Sequence, residues 1–136
     1  MKKIVLDTNT VISAHFWKGN PRKILDLVKA GRYALLTSEE IGKELIRVLG
    51  YPKFGLTSQE ILPIVADYSI YAKSIKVKSR VDVIKADPTD NIFLACAKDG
   101  GVDYVVSGDH HLLDLKTFLK IPIVTPKNFL KLENIE

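Results

Sequence analysis

The chain has 136 residues, the usual length of one domain with a real hydrophobic core, and we predict a single domain over residues 1–136. Its composition of 46% hydrophobic and 26% charged residues excludes an intrinsically disordered chain. The formal net charge of +4 and the pI of about 9.1 permit a polyanionic partner such as nucleic acid, although charge alone favours a solvated lysine-rich surface.

The first predicted element is a short apolar strand, Ile4-Val5-Leu6, which ends abruptly at Asp7. Because all three residues are apolar, we expect a strand buried on both faces, as in a parallel sheet covered by helices. A charge beside a core strand is costly unless it is paired, hydrogen-bonded or bound to a metal. Asp7 is therefore the first candidate functional residue.

Between residues 20 and 50 the sequence predicts a helix, a strand and a second helix. Asn20 and Pro21 suit the cap and the first position of a helix, which Gly31 ends. Residues 33–37 predict an apolar strand, and Thr37-Ser38-Glu39-Glu40 has the pattern of a capping box that begins the next helix.

Between residues 55 and 85 the sequence predicts a helix, a strand and a loop. Thr57-Ser58-Gln59-Glu60 is a second capping-box pattern, and Pro63 is expected to delay or kink the helix that follows. Residues 74–77 predict a strand, and the polar residues 78–85 predict a loop.

The segment after residue 86 contains the most apolar predicted helix. Asp87 can cap it, Pro88 fits its first position, and Gly100-Gly101 ends it. Its residues are apolar nearly all round, so we expect it to be deeply buried. A strand over residues 103–107 then leads to Asp109 and repeats the opening pattern of an apolar run followed by an aspartate.

A short helical turn, a strand over residues 121–124 and a terminal helix complete the chain, and Pro122 favours an edge position for that strand. Strands alternate with helices throughout. We therefore predict a three-layer α/β/α fold with a mostly parallel sheet of about five strands.

Four carboxylates are candidates for one site. Asp7 and Asp109 each end a strand, and ligands of open parallel sheets bind beyond the carboxyl ends of the strands. Glu44 borders the apolar stripe of its helix, and Asp90 opens the most buried helix. Taken singly, Glu44 pairing with Arg47 and Asp90 favouring the helix dipole are ordinary structural interpretations. An aspartate can also simply begin a turn.

Together the four carboxylates indicate a divalent-metal site. Four such groups in one crevice repel one another unless cations bind or their pKa values rise. Ligation by oxygen alone suits Mg²⁺ or Mn²⁺ rather than zinc. An acidic centre in a basic protein also suits a polyanionic substrate, because the basic surface can hold phosphates while the metals complete the charge match.

Four short motifs contain the candidate residues and follow one another in the chain. They are Ile4-Val5-Leu6-Asp7-Thr8-Asn9, Glu44 within Glu39-Glu40-Ile41-Gly42-Lys43-Glu44-Leu45, Asp87-Pro88-Thr89-Asp90-Asn91, and Val105-Val106-Ser107-Gly108-Asp109. These ordered motifs resemble those of the PIN-domain nucleases, and most closely the small bacterial and archaeal PIN proteins grouped with VapC-type toxins. The resemblance covers nearly the whole chain, and only the ordered set of motifs is specific.

The resemblance implies Mg²⁺- or Mn²⁺-dependent cleavage of single-stranded RNA. It assigns the catalytic and metal-binding positions to Asp7, Glu44, Asp90 and Asp109. It also implies a homodimer and a cognate antitoxin, as in a type II toxin–antitoxin system. The supporting polar positions that it assigns are Thr8, Asn9, Ser107 and Asp87, the last also a helix cap.

Three other functions fit parts of the pattern. A haloacid-dehalogenase-like phosphatase would use Asp7 as its nucleophile, but the position of its general acid is Asn9, which cannot donate a proton as an acid does. A response-regulator receiver needs an acidic pair where Asp7 stands alone. A catalytically idle PIN-like RNA-binding or scaffold protein is the alternative that stays open; loss of one of the four carboxylates would have favoured it, and all four are present.

The remaining candidates have mainly structural interpretations. His110 and His111 could bind a metal or contact phosphate, but an oxygen-ligand site does not need them and we expect ordinary turn residues. Phe16 and Trp17 could stack on bases, but we expect them to cover the core or a dimer interface. Cys96 is expected in the core. As the sole cysteine it cannot form an internal disulfide, which fits a cytoplasmic protein. No apolar run is long enough to span a membrane, and the polar residues from position 7 interrupt a start that resembles a secretory signal.

Overall fold

Six strands form one sheet in the structure, a computed structural model that describes residues 1–136. The strands are β1 (Lys2–Leu6), β2 (Tyr33–Thr37), β3 (Ala72–Ser74), β4 (Tyr104–Val106), β5 (Thr117–Phe118) and β6 (Ile121–Val124). Their order is β3-β2-β1-β4-β6-β5, and only β5 runs antiparallel to its neighbour. The predicted mostly parallel sheet is confirmed, with one more strand than expected.

Seven helices cover the two faces of this sheet and confirm the three-layer α/β/α fold. Short 3₁₀ turns at Pro52–Phe54 and Pro88–Asp90 precede α4 and α5. No helix has the length and apolar character needed to cross a membrane. The helices are α1 (Thr8–Phe16), α2 (Asn20–Lys29), α3 (Glu39–Leu49), α4 (Ser58–Tyr71), α5 (Asn91–Gly100), α6 (His110–Leu113) and α7 (Pro126–Leu132).

The central strand separates two hydrophobic clusters. Ile4 and Leu6 point into the cluster formed with α1 to α4 and α7, whereas Val5 points into the cluster formed with α5 and α6. Side chains alternate between the faces of a strand, so a strand covered on both sides must be apolar throughout. Cys96 lies fully buried in the second cluster, as predicted.

The amino ends of β1 and β4 are tied to the end of the chain by one carboxylate. Glu133 accepts hydrogen bonds from Tyr33 Oη and Tyr104 Oη, both at 2.8 Å, and from Lys2 Nζ at 2.7 Å. The Lys2 ammonium and the two hydroxyls keep the pKa of Glu133 below its ordinary value although burial opposes this. This network holds the residues that follow α7 against the amino ends of β1, β2 and β4.

The first helix is the main element that the sequence pattern did not predict. α1 begins directly after β1, and Asp7 is its cap, with Oδ1 accepting from the backbone N–H of Thr10 at 3.0 Å. Threonines near the start and an apolar run shorter than three turns obscured the helical period. An aspartate whose side chain accepts from the backbone N–H three residues later is nevertheless an ordinary start of a helix.

Several predicted element boundaries were wrong by a few residues. Gly19, not Asn20, precedes α2 as its cap, and Ser38 rather than Thr37 caps α3 by accepting from the Ile41 N–H at 3.3 Å. β3 ends at Ser74, where a strand was expected to begin. The capping box joining Thr57 and Glu60 is confirmed.

The structure answers part of what was expected of two prolines. Pro63 lies within α4, which already begins at Ser58, so the expected delay of the helix start is wrong, and the alternative of a kink stays a prediction. Pro122 was expected at a sheet edge, but β6 lies between β4 and β5. The Ile123 N–H donates to the Lys116 carbonyl on the β5 side, so the alternate position, Pro122, faces β4. Pairing with β4 begins only at Ile123, and no hydrogen bond is lost there.

Two glycines in helices should respond to alanine in opposite directions. A Cβ at Gly100 would lie 2.6 Å from Leu36 Cδ1 in the buried second cluster, whereas a Cβ at Gly42 would meet nothing within 4 Å. We expect Gly100→Ala to lower the free energy of unfolding by about 1–3 kcal/mol through overpacking. Gly42→Ala should raise it by about 0.5–1 kcal/mol through helix propensity. Urea denaturation of both variants measures this, and equal shifts would contradict the packing.

Candidate active site

The site lies where β1 and β4 end side by side. These strands are parallel neighbours with Leu6 opposite Val106, so Asp7 and Ser107 leave the sheet at the same edge. The Asp7 N–H donates to the Val106 carbonyl at 3.2 Å and extends the pairing by one bond. The predicted meeting of the two strand ends is therefore present in the fold.

Asp7 is a buried carboxylate that accepts one hydrogen bond at each oxygen. It is 3% exposed; Oδ1 accepts from the Thr10 N–H at 3.0 Å, and Oδ2 accepts from Ser107 Oγ. Burial raises the pKa of Asp7, and the nearby charge of Asp109 raises it further, although the bonds from Ser107 and Thr10 act in the opposite direction. The group is fixed in position and short of positive charge.

Ser107 links Asp7 to Asp109. Its hydroxyl donates to Asp7 and accepts the backbone N–H of Asp109 at 2.9 Å. Asp109 in turn caps α6, with Oδ1 accepting from the His111 N–H at 2.8 Å. A single buried hydroxyl therefore sets the separation of the two strand-end carboxylates.

Asp90 faces the same place from the 3₁₀ turn that precedes α5. Asp87 holds this turn by accepting from the Thr89 N–H at 3.3 Å, and the Asn91 side chain ties it to Ile84 through bonds of 2.9 Å. Asp90 Oδ2 is buried and has no hydrogen-bond partner. Burial raises the pKa of Asp90 to about 7, aided by the negative charges of Asp109, Asp87 and Asp7.

Glu44 is half-buried on α3, as predicted, and it also makes the predicted pair with Arg47. Arg47 Nε lies 3.4 Å from Glu44 Oε2, Nη2 binds the other carboxylate oxygen, and Nη1 donates to Tyr51 Oη. Both the structural and the functional interpretation of Glu44 are thus compatible with its position. A cation in the cleft would compete with Arg47 for this carboxylate.

These groups line one cleft. All four candidate carboxylates are present there, together with Thr8, Asn9 and Asp87, whereas Ser107 lies behind Asp7. Four cationic or hydroxyl side chains of the lining were not predicted as site residues: Arg47, Tyr51, Lys53 and Thr89. The complete lining is Asp7, Thr8, Asn9, Glu44, Arg47, Val48, Tyr51, Lys53, Asp87, Thr89, Asp90, Phe93 and Asp109.

His111 lies beside the carboxylates, whereas His110 does not, so the two histidines that were both expected to be ordinary turn residues differ in position. His111 Nδ1 is buried without a hydrogen-bond partner, 3.5 Å from Asp109 Oδ1 and 3.7 Å from Asp90 Oδ2. The His110 side chain is 75% exposed. In a helix that begins at residue 110, successive side chains point about 100° apart, so only one of two adjacent histidines could face the cleft.

The donor atoms fit a divalent cation. Asp87, Asp90 and His111 offer ligand atoms that lie within 4.8 Å of one another. Asp90 Oδ2 and His111 Nδ1 are buried without a hydrogen-bond partner, and so is Thr8 Oγ1. Unpaired buried polar atoms cost free energy, and a bound cation would remove that cost at several of them together. Carboxylate oxygens suit Mg²⁺ or Mn²⁺, and an imidazole favours the transition metal.

Comparison with known families shows to which family the chain belongs. The family model described as PIN domain matches residues 3–111, which include every candidate site residue. The chain belongs to the PIN-domain family. PIN domains are generally metal-dependent nucleases, so the chain belongs to a family of nucleases. A comparison with curated proteins found no match.

The match also bears on the other predictions. It favours a PIN nuclease over a haloacid-dehalogenase-like phosphatase or a receiver domain, in agreement with Asn9 at the position of the acid. It ends at residue 111, yet β6 pairs with β4 in the same sheet, so the sheet of this PIN domain extends beyond the matched residues. Trp17 was expected to cover the core or a dimer interface. Its side chain is 59% exposed in the single chain, so it does not lie in the core, and the dimer interface stays a prediction.

Loss of the proton from Asp90 should make the metal-free protein less stable as the pH rises. The carboxyl has a pKa of about 3.9 when unfolded and about 7 in the native state, so the native state binds the extra proton between these values. This contribution to stability is present near pH 4 and is lost as the pH rises through 7. With a chelator present, we expect the wild type to unfold more easily at pH 8 than at pH 5.

Asp90→Asn should remove most of that dependence, because an amide does not ionise. We expect it to raise the free energy of unfolding at pH 8 by about 2 kcal/mol, since solvent in the open cleft screens part of the shift. Asp114→Asn, at an exposed acid, is the matched control and should keep the wild-type pH dependence. An unchanged dependence in Asp90→Asn would show that Asp90 is ionised in the folded protein.

His111 should contribute to metal choice. Imidazole nitrogen binds Mn²⁺ better than Mg²⁺, so we expect His111→Ala to weaken Mn²⁺ binding about tenfold and Mg²⁺ binding much less. Calorimetric titration of each ion measures both affinities, and electron spin-echo spectroscopy of bound Mn²⁺ reports a coordinated nitrogen directly. His110→Ala is the matched control. Retention of the nitrogen signal in His111→Ala would exclude this residue as the ligand.

Proposed function

We propose that this PIN domain is an endoribonuclease that hydrolyses phosphodiester bonds of single-stranded RNA with Mg²⁺ or Mn²⁺. The observation that carries the proposal is the convergence of four carboxylates on one cleft, with a buried Asp90 oxygen left unpartnered. A cleft of this charge repels a nucleic-acid phosphate unless cations bind first. The same charge makes it a strong site for a divalent ion.

The chain's own residues would provide the ligands and hold them in place. Asp7, Asp90, Asp109 and Glu44 would hold the metal, with His111 as an additional donor. When bound, a divalent ion polarises a phosphoryl oxygen and activates water for attack. Ser107 positions Asp7 by donating to Oδ2.

The rim of the cleft supplies the positive charge that the centre lacks. Arg47 and Lys53 line the cleft beside the carboxylates and can bind the phosphates on either side of the cleaved bond. Arg47 pairs with Glu44 in the absence of metal. When a cation and a phosphate enter the cleft together, Glu44 would bind the cation and Arg47 would bind the phosphate. An acidic centre within a basic rim favours an extended polyanion over a small neutral substrate.

The test is metal-dependent cleavage of a labelled single-stranded RNA. We expect Asp7→Asn and Asp90→Asn each to lower kcat at least about 100-fold, because each removes a metal ligand, and Ser107→Ala to lower activity about 10–100-fold by freeing Asp7. Asp114→Asn serves as the control. Equal cutting by all proteins would indicate a contaminating nuclease, and RNA binding without any cutting would favour an RNA-binding scaffold.

The proposal extends to a toxin of a type II toxin–antitoxin system that acts in the cytoplasm as a homodimer. This part rests on the resemblance of the ordered motifs to VapC-type proteins. Exposed apolar side chains on two helices support a protein partner: Ile46 is 49% exposed, Leu62 67% and Ile70 84%. A short reading frame preceding the gene, and co-purification of its product with this chain, would decide for an antitoxin. A free monomer would decide against both partners.

A further inference from the structure

Three aromatic side chains form an exposed cluster at the end of α1. The Phe16 and Trp17 rings lie 5.8 Å apart, and Phe16 stacks on Phe54 with 6.3 Å between centroids and an interplanar angle of 11°. Phe54 packs against the larger hydrophobic cluster, whereas Phe16 is 37% and Trp17 59% exposed. Burying a side chain as large as tryptophan is strongly favourable, so its exposure beside other aromatic rings suggests a ligand.

Lys53 connects this aromatic cluster to the acidic cleft. Its side chain lines the cleft, and its Nζ lies 5.2 Å from the centroid of the Phe54 ring. The surface therefore continues from the carboxylates through Lys53 and Phe54 to Phe16 and Trp17. Aromatic rings alternating with lysine are the usual means by which proteins hold single-stranded nucleic acid.

The aromatic cluster is held on a fixed backbone. Arg22 donates from Nε to the Ala14 carbonyl at 2.7 Å and from Nη2 to the His15 carbonyl at 2.9 Å, which satisfies the last turn of α1. The Trp17 N–H donates to the Ser13 carbonyl at 3.0 Å. A ring on such a support loses little conformational freedom when a base stacks on it.

We propose that Trp17, with Phe16 beside it, is a base-stacking subsite for a nucleotide of the substrate strand that lies outside the cleft, and that Lys53 binds a phosphate between this nucleotide and the cleft. The inference rests on the proposed ribonuclease function and specifies how its substrate is held. A stacked base needs no sequence match, because every base has a flat aromatic face.

The length of α1 defines where this subsite acts. Asp7 caps the start of the helix and Trp17 follows its end, so the two are separated by about 15 Å along the axis. A mononucleotide bound in the cleft cannot reach Trp17, whereas an oligonucleotide can. The subsite therefore predicts that affinity increases with RNA length up to the strand that spans both points.

The single tryptophan of the chain makes the contact directly observable. In the Asp90→Asn background, where the proposal expects intact RNA, a single-stranded 12-mer should quench Trp17 fluorescence on binding. The same strand with abasic sites retains its phosphates and should lose most of that quenching. A trinucleotide should quench weakly.

Substitution separates stacking from general charge attraction. We expect Trp17→Ala to weaken binding of the 12-mer about tenfold and Trp17→Phe to restore most of it, because stacking on an aromatic side chain accounts for a factor of this size. Leu132→Ala, at an exposed apolar position on α7, is the control and should bind as the parent does. Anisotropy of a labelled strand measures all four proteins, and sedimentation of each gives its oligomeric state.

The outcomes distinguish this subsite from the proposed nuclease. Quenching equal with and without bases, or equal affinity of Trp17→Ala and its parent, overturns the subsite even if the wild type cuts RNA. A concentration-dependent dimer that already buries Trp17 before RNA is added assigns this surface to a second copy and also overturns it. If the wild type never cuts RNA but Trp17 is quenched by bases, the nuclease fails and the stacking surface stands.

Discussion

The hydrogen bond from Ser107 to Asp7 is the contact on which the arrangement of the site depends. It joins the ends of two parallel strands, and the same hydroxyl accepts the backbone N–H of Asp109. Without it, Asp7 would be a buried carboxylate with one fewer donor and Asp109 would lose the bond that fixes its backbone. The strand register places Asp7 and Ser107 at one edge, and the hydroxyl converts that proximity into a defined geometry.

The free energy gained by packing the hydrophobic clusters offsets the repulsion between the carboxylates of the cleft. Burial and neighbouring carboxylates raise the pKa values of Asp7 and Asp90, so these groups are costly to keep ionised in the folded protein. The two hydrophobic clusters on either side of β1 supply the stability that keeps them together. A cation relieves the repulsion, and its binding must therefore stabilise the fold as well as prepare the chemistry.

The sequence was most informative where one physical effect dominated. Alternation of apolar strands and capped helices predicted the α/β fold, and Asp7 and Asp109 at strand ends predicted the meeting point of the carboxylates. It was least informative where local signals competed. The polar start of α1 concealed a helix, and a two-residue β5 is too short to leave any pattern in the sequence.

Side-chain direction was the other part that could not be predicted. His110 and His111 are identical in type and adjacent, and only the orientation of a four-residue helix decides which one reaches Asp90. Trp17 was expected to cover the core or a dimer interface, and only the structure shows that it is 59% exposed beside Phe16, which itself stacks on Phe54. Such facts depend on tertiary contacts that no short motif contains.

The two edges of the sheet have different roles: the amino ends of the strands are held by the Glu133 network, and the carboxyl ends form the acidic cleft. Lys2 and Glu133, near the two ends of residues 1–136, lie in contact at the amino end of β1, and the acidic cleft lies at the opposite end of that five-residue strand, about 16 Å away. An affinity tag, fluorescent fusion or adjoining segment joined at either end of these residues would therefore leave the domain at the amino edge of the sheet, on the side opposite to the cleft. It would leave the cleft open, and a fused inhibitor would need a linker that passes around the whole α/β/α sandwich to reach it.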